Sequence, residues 1–210
     1  MLLAGLLGGS LIDYFLSNFI GRNRFVELLL DLAFAAIVIF WIHSKIDFWW
    51  LSVFVAWGTI LLRVRTSCDD ARLPAAMMVL SAIGLAVIAW IGNNLADRDL
   101  ALGVASAGLG ISTWLWFKRH FQLGFGFIWG SYTALILITI RILETNTFMA
   151  APIFILGFIF FSNSVVSRSK FRPTLIKQLP TPVIVGGLSI LPIILAAAAA
   201  LIATNLLEYQ

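Results

Sequence analysis

Long apolar runs separated by short polar breaks set the pattern of this chain. Eight runs can be traced, over residues 1–20, 25–42, 48–62, 74–92, 100–117, 121–140, 148–161 and 183–206. Most approach the roughly 20 residues that a helix needs to cross a hydrocarbon layer. None shows the alternation of a lipid-facing barrel strand. A lipid-exposed segment must satisfy its own backbone polar groups, so the runs are predicted to be helices. The expected fold is all-α, a polytopic integral membrane bundle of eight or seven transmembrane helices with short loops. It forms a single transmembrane domain over residues 1–210. The first run carries Asp13 and the Gly8-Gly9 pair, and no Lys or Arg precedes Arg22. It therefore lacks the basic start of a signal peptide. It reads as a span entering from outside, with an interfacial helix as the alternative.

Composition narrows the class. Of 210 residues, 61% are hydrophobic and 11% charged, with 17 Phe and 8 Trp. A soluble domain carries about 45–50% apolar and about 25% charged residues. The charges here are too few to cover a soluble surface, which excludes a cytosolic domain, a disordered chain and a secreted disulfide scaffold. Cys68 is the single cysteine, so neither an internal disulfide nor a cysteine-based zinc site can form.

The basic residues sort by connection. The first, third, fifth and seventh connections hold Arg22 and Arg24; Arg63, Arg65 and Arg72; Lys118 and Arg119; and Arg168, Lys170, Arg172 and Lys177. The even ones hold only Lys45, Arg98 and Arg141 of the 14 Lys and Arg. Such alternation places the odd connections in the cytoplasm and the C-terminus outside. The expected location is the bacterial inner membrane. The net charge of +4 thus reports loop placement, and no nucleic-acid partner is expected. The acidic residues Asp47, Asp97, Asp99 and Glu144 fall in the even connections.

Three carboxylates lie inside apolar runs: Asp13, Glu27 and Asp31. Glu27 and Asp31 are four apart, so both project from one helix face. Asp31 sits about 6 Å deeper, at 1.5 Å per residue. A carboxylate at such depth costs on the order of 2.5–3.5 kcal/mol on insertion scales, so it should face the bundle interior. Two nearby carboxylates raise one proton affinity, which makes the pair a candidate proton or cation site. The structural alternative is an ion pair with Arg22, Arg24 or an arginine of the next inner connection, such as Arg65. Asp69 and Asp70, beside Arg65 and Arg72, can cap the following helix, whose first turn holds Pro74. They can equally pair with Arg24 across the inner mouth.

Arg24-Phe25-Val26-Glu27-Leu28-Leu29-Leu30-Asp31-Leu32-Ala33-Phe34 resembles the opening signature of the bacterial low temperature requirement A family. That signature has a Glu-Leu-aromatic-aromatic-Asp-Leu core. A span with Trp57, the acidic Asp69-Asp70 loop and an apolar helix from Met77 to Trp90 follow in the family's order. The resemblance covers residues 22–90. Leu29-Leu30 replaces the aromatic pair, the family is nearly twice as long, its later Gly-Glu signature is absent, and an apolar start replaces its polar one. The resemblance implies a multi-pass membrane protein with a stress link, and no defined chemistry.

The remaining motifs are weaker. His43 and His120 end their runs on opposite sides, so they cannot share a metal ion. The tryptophans cluster near run ends, as an aromatic belt does. A pigment or quinone pocket is the alternative for them, and bound lipid is the expected companion; no other cofactor is called for. Gly103, Gly108 and Gly110, then Gly126 and Gly130, line consecutive runs and allow close helix packing. The same faces could dock a second copy or a larger membrane complex. Arg141 and Glu144 could pair locally. There is no Gly-x-Ser-x-Gly elbow, P-loop or His-Glu-x-x-His, so an enzyme is not expected. Three functions stand: a small transporter or ion-conducting protein using intramembrane carboxylates, a non-catalytic accessory subunit, and, ranked last because no convergent nucleophile and base are visible, a membrane-embedded lipid enzyme.

Overall fold

A computed structural model describes residues 72–117, 125–162 and 181–208, and all statements on structure concern these. Among them are five α-helices and no strand. The helices are α1 (Arg72–Ile91), α2 (Leu95–Phe117), α3 (Phe125–Thr145), α4 (Ala150–Leu156) and α5 (Thr181–Glu208). Two 3₁₀ turns, Thr147–Met149 and Gly157–Phe161, flank α4. Helices α1, α2 and residues Val183–Asn205 of α5 are long and apolar enough to cross a membrane. At 1.5 Å per residue, the 20 residues of α1 span about 30 Å, the thickness of a hydrocarbon core.

α1 is the central helix. It buries Ala75, Met77, Met78, Ala82, Leu85, Ile88 and Ala89 on most of its circumference. It packs most extensively on α2 and next on α5. Helices in lipid gain no hydrophobic drive from meeting each other, so close van der Waals contact must hold them, and small residues permit it. The buried face of α2 runs Asp97, Ala101, Ala105, Gly108, which is that small-residue face. At Gly108 an added Cβ would lie 2.7 Å from Val79 Cγ2, so the glycine sets the α1–α2 approach. On another side of α1, Gly84 receives the Leu156 side chain of α4. The outward faces carry large apolar side chains such as Leu102 and Leu109 on α2 and Leu191 and Ile194 on α5. In lipid these need no cover.

Several boundaries differ from the apolar runs. α2 begins at Leu95, five residues before the run at Leu100, and takes in Asp97, Arg98 and Asp99. Their charge reads as loop in the sequence, but the start of a helix accepts acidic side chains because its N–H groups are free and its dipole is positive there. α3 likewise continues past Ile140 to Thr145, taking in Arg141 and Glu144. The run over 148–161 is not one regular helix. Asn146 Oδ1 accepts from the Phe148 N–H at 3.0 Å and starts a 3₁₀ turn, α4 follows, and Gly157 opens a second 3₁₀ turn. In the tighter 3₁₀ turn residues three apart eclipse, and the Phe158 and Phe161 rings sit 6.4 Å apart. α5 exceeds its run by two residues at each end and contains Pro192. That proline removes one backbone bond within the helix.

A three-residue connection joins α1 to α2. Asn94 N–H donates to Ala89 O at 2.9 Å and Asn93 N–H to Trp90 O at 3.1 Å. Asn93 is left-handed, with φ 59°. This is the Schellman arrangement, with asparagine where glycine is commonest.

Not every glycine packs. A Cβ added at Gly103, Gly110, Gly186 or Gly187 meets nothing within 4 Å. Gly103→Ala and Gly187→Ala should therefore leave thermal stability in detergent unchanged or raise it by up to about 1 kcal/mol, the helix-propensity gain. A clear loss of stability for either would show that a neighbour covers that face.

Candidate functional site

A cluster of linked polar groups lies at the end where α1 turns into α2. Asn94 caps α2. Its Oδ1 accepts from the backbone N–H of Asp97 at 3.3 Å, and its Nδ2 donates to Asp97 Oδ2. The result resembles a capping box, with Asp97 at the third helical position. Nδ2 of Asn94 also lies 3.4 Å from Thr145 Oγ1, at the end of α3. One turn earlier on α3, Arg141 Nε stands 2.8 Å from Asp97 Oδ1.

The two ions of this pair differ in exposure. The side chain of Asp97 is 1% exposed and that of Arg141 is 55% exposed. Oδ1 meets the guanidinium by distance but not along an N–H direction, so it is an ion pair without a directed hydrogen bond. The carboxylate is thus sealed in the bundle, while its counter-ion reaches to the surface. Arg98 turns away and pairs with its neighbour Asp99 at 2.7 Å on the exposed side. The expected Arg141–Glu144 pair is not formed; Arg141 reaches across to α2, and Glu144 is exposed.

The opposite end carries Arg72, the first residue of α1. Its guanidinium lies 5.6 Å from the centroid of the Trp116 ring near the end of α2. A cation over an indole face contributes roughly 0.5–1 kcal/mol at such a half-exposed position. Trp90, Trp114 and Trp116 are all exposed, near helix ends.

Inside the bundle, two buried serines are satisfied within their own helices. Ser81 donates to Met77 O and Ser189 to Val185 O, each at 2.8 Å. Ser189 also lies 3.3 Å from the Ser162 hydroxyl, a buried polar link from α5 to the segment that follows α4. Thr139 Oγ1 is buried with no hydrogen-bond partner.

Of the sequence-predicted residues, Gly108 is buried at the α1–α2 crossing, Gly130 is buried in α3, and Gly126 lies in the first turn of α3. Arg72 is engaged with Trp116. Asp13, Glu27, Asp31, Arg22, Arg24, Arg65, Asp69 and Asp70 lie outside the described residues, as do His43 and His120. The Asp97–Arg141 pair was not singled out by sequence. The Asn94-x-x-Asp97 spacing, which fits a helix start, was the local signal available for Asp97. No group of three or more His, Cys, Asp or Glu suited to a metal occurs among the described residues. Comparison with protein-family models, curated proteins and solved structures found no match to this chain.

Proposed function

We propose that this chain is a small integral membrane protein of eight spans that moves a proton or small cation past carboxylates held within its apolar segments. Glu27 and Asp31 form the exchanging pair near the cytoplasmic mouth, with Asp13 as a third candidate. The basic odd connections face the cytoplasm of a bacterial cell. The chain is a divergent relative of the low temperature requirement A family. The observation that carries this reading is the retention of three carboxylates inside apolar runs by a chain that is only 11% charged. Each costs too much to keep without a use or a partner. The described bundle adds a parallel, since Asp97 is kept buried rather than wet.

The test is flux. Purified protein in liposomes should dissipate an imposed proton or alkali-cation gradient, and Asp31→Asn should abolish that flux. Undiminished flux in Asp31→Asn would remove Asp31 from the mechanism. A wild-type protein silent under proton, sodium and potassium gradients would sink the transport reading altogether.

A second reading is favoured by the bare glycines. Gly103 and Gly110 on α2 and Gly186 and Gly187 on α5 face outward with nothing against them. Smooth surfaces of this kind suit an accessory subunit seated with lipids, pigment or a second copy in a larger complex. Mild-detergent purification that retains stoichiometric partners would favour it over transport.

A further inference from the structure

From Gly130 onward, α3 is covered until it nears its end. Between Gly130 and Leu143 the one exposed residue is Arg141, and Glu144 and Thr145 follow it at the surface. These three stand at i, i+3 and i+4, so they share one face of the helix. Arg141 brings Nε to Asp97 Oδ1 without a directed hydrogen bond, and its side chain is 55% exposed. A guanidinium carries five N–H donors in a planar fork. Among the described residues none of these donors is spent on a hydrogen bond, and Glu144 has no ion pair. The Asp97–Arg141 and Arg98–Asp99 pairs each cancel, so Glu144 leaves this rim of the described bundle negative. The two exposed charges also differ in depth. Arg141 lies about 6 Å inside the Thr145 end of α3, and Glu144 lies about 4.5 Å further out than Arg141. A headgroup layer is about 5–7 Å deep on each side of the hydrocarbon core, so both charges fall within its reach.

We propose that this rim binds the headgroup of a phospholipid bearing a primary amine, with Arg141 taking the phosphate and Glu144 the ammonium. The order of charges fits a lipid held upright in a bilayer. Its phosphate joins the glycerol at the hydrocarbon boundary, and its amine lies one short carbon bridge further out. Arg141 is the deeper residue and Glu144 the outer one, with Cβ atoms about 5–6 Å apart at this spacing. The free donors of Arg141 suit phosphate oxygens, because a guanidinium fork pairs with them through charge-assisted hydrogen bonds. The ammonium can donate to the Glu144 carboxylate, whereas a trimethylated amine has no N–H to give. A headgroup that is anionic and lacks an amine meets Glu144 and Asp99 as like charges. The inference rests on the bundle lying in a bilayer and not on ion transport.

The experiment titrates the delipidated full chain in detergent with phosphatidylethanolamine, phosphatidylcholine and phosphatidylglycerol of one acyl composition. Native mass spectrometry reads the fraction of protein carrying lipid. Phosphatidylethanolamine should bind about tenfold more tightly than either of the others, equivalent to about 1.4 kcal/mol. Glu144→Gln changes only an exposed side chain and should bring phosphatidylethanolamine to within about twofold of phosphatidylcholine. Arg141→Gln is made together with Asp97→Asn, so that no buried carboxylate is stranded, and is compared with Asp97→Asn alone. It should weaken both amine-bearing lipids by about tenfold, because both present the same phosphate. Equal binding of the three lipids by the unaltered protein overturns the proposal. So does an undiminished preference for phosphatidylethanolamine in Glu144→Gln, or unchanged affinity when Arg141 is replaced. Soluble phosphoethanolamine that displaces the lipid at the lipid's own concentration would show a site for a free phosphate ester, and would overturn the assignment to a lipid.

Discussion

Gly84→Val is expected to destabilise the bundle by about 2–3 kcal/mol, because it forces side-chain atoms into a packed contact. An added Cβ at Gly84 already collides with the end of Leu156, and it also comes within 3.1 Å of Leu156 Cγ. Leu156 is only 3% exposed, so it has little room to turn away. Valine adds two further methyl groups at the same place and, unlike alanine, brings little helix-propensity gain. Thermal unfolding in detergent, followed by the tryptophan emission of the chain, measures the loss. Leu156→Ala made together with Gly84→Val should restore part of it, with a coupling of at least about 1 kcal/mol. Additive losses in the double variant would mean that α4 does not sit on α1 at Gly84.

Arg141→Met should cost more than Asp97→Asn, although both break the same ion pair. Removing the arginine strands a carboxylate that is almost wholly buried. Breaking a buried pair typically costs about 3–5 kcal/mol. Arg141 is more than half exposed, and solvent already screens it, so about 2 kcal/mol is expected here. Asp97→Asn removes the buried charge and leaves an arginine that can turn to water. The asparagine keeps an oxygen to accept from Asn94, and its loss should be about 1 kcal/mol or less. The ratio of the two effects is the diagnostic quantity. Equal losses would show that the carboxylate gains its stability from the α2 N-terminus and Asn94 rather than from Arg141.

Sequence reading recovered what the bilayer imposes and missed what tertiary contact decides. The middle portions of α1, α2 and α5 follow from uninterrupted apolar length, because a lipid-facing helix has few other options. The starts and ends did not follow so directly. Asp97, Arg98 and Asp99 read as loop by charge, yet the helix start takes them in, and Arg141 sits inside α3 for a similar reason. The break around α4 was hidden as well, since its residues are as apolar as those of any span. It arises from Asn146, which starts one tight turn, and from Gly157, which begins another. The Asp97–Arg141 pair joins two helices and has no local signature on the arginine side; the i to i+3 spacing of Arg141 and Glu144 suggested a different partner. Asp13, Glu27 and Asp31 are singled out by the energetics of burial alone, and the described residues neither add to that argument nor reduce it.

The short turn between α1 and α2 bears on the order in which the protein is assembled. Three residues reach about 10 Å, a third of the hydrocarbon thickness. α2 therefore starts where α1 stops, and the two helices must enter the bilayer as a hairpin. In the proposed orientation its tip carries Asp97, Arg98 and Asp99 across the membrane. Arg98 and Asp99 travel as a neutralised pair. Asp97 has Asn94 beside it from the outset, but its counter-ion is synthesised later, on α3. The carboxylate thus stays without its arginine until α3 arrives, and only then does the tip of the hairpin acquire its final neighbour.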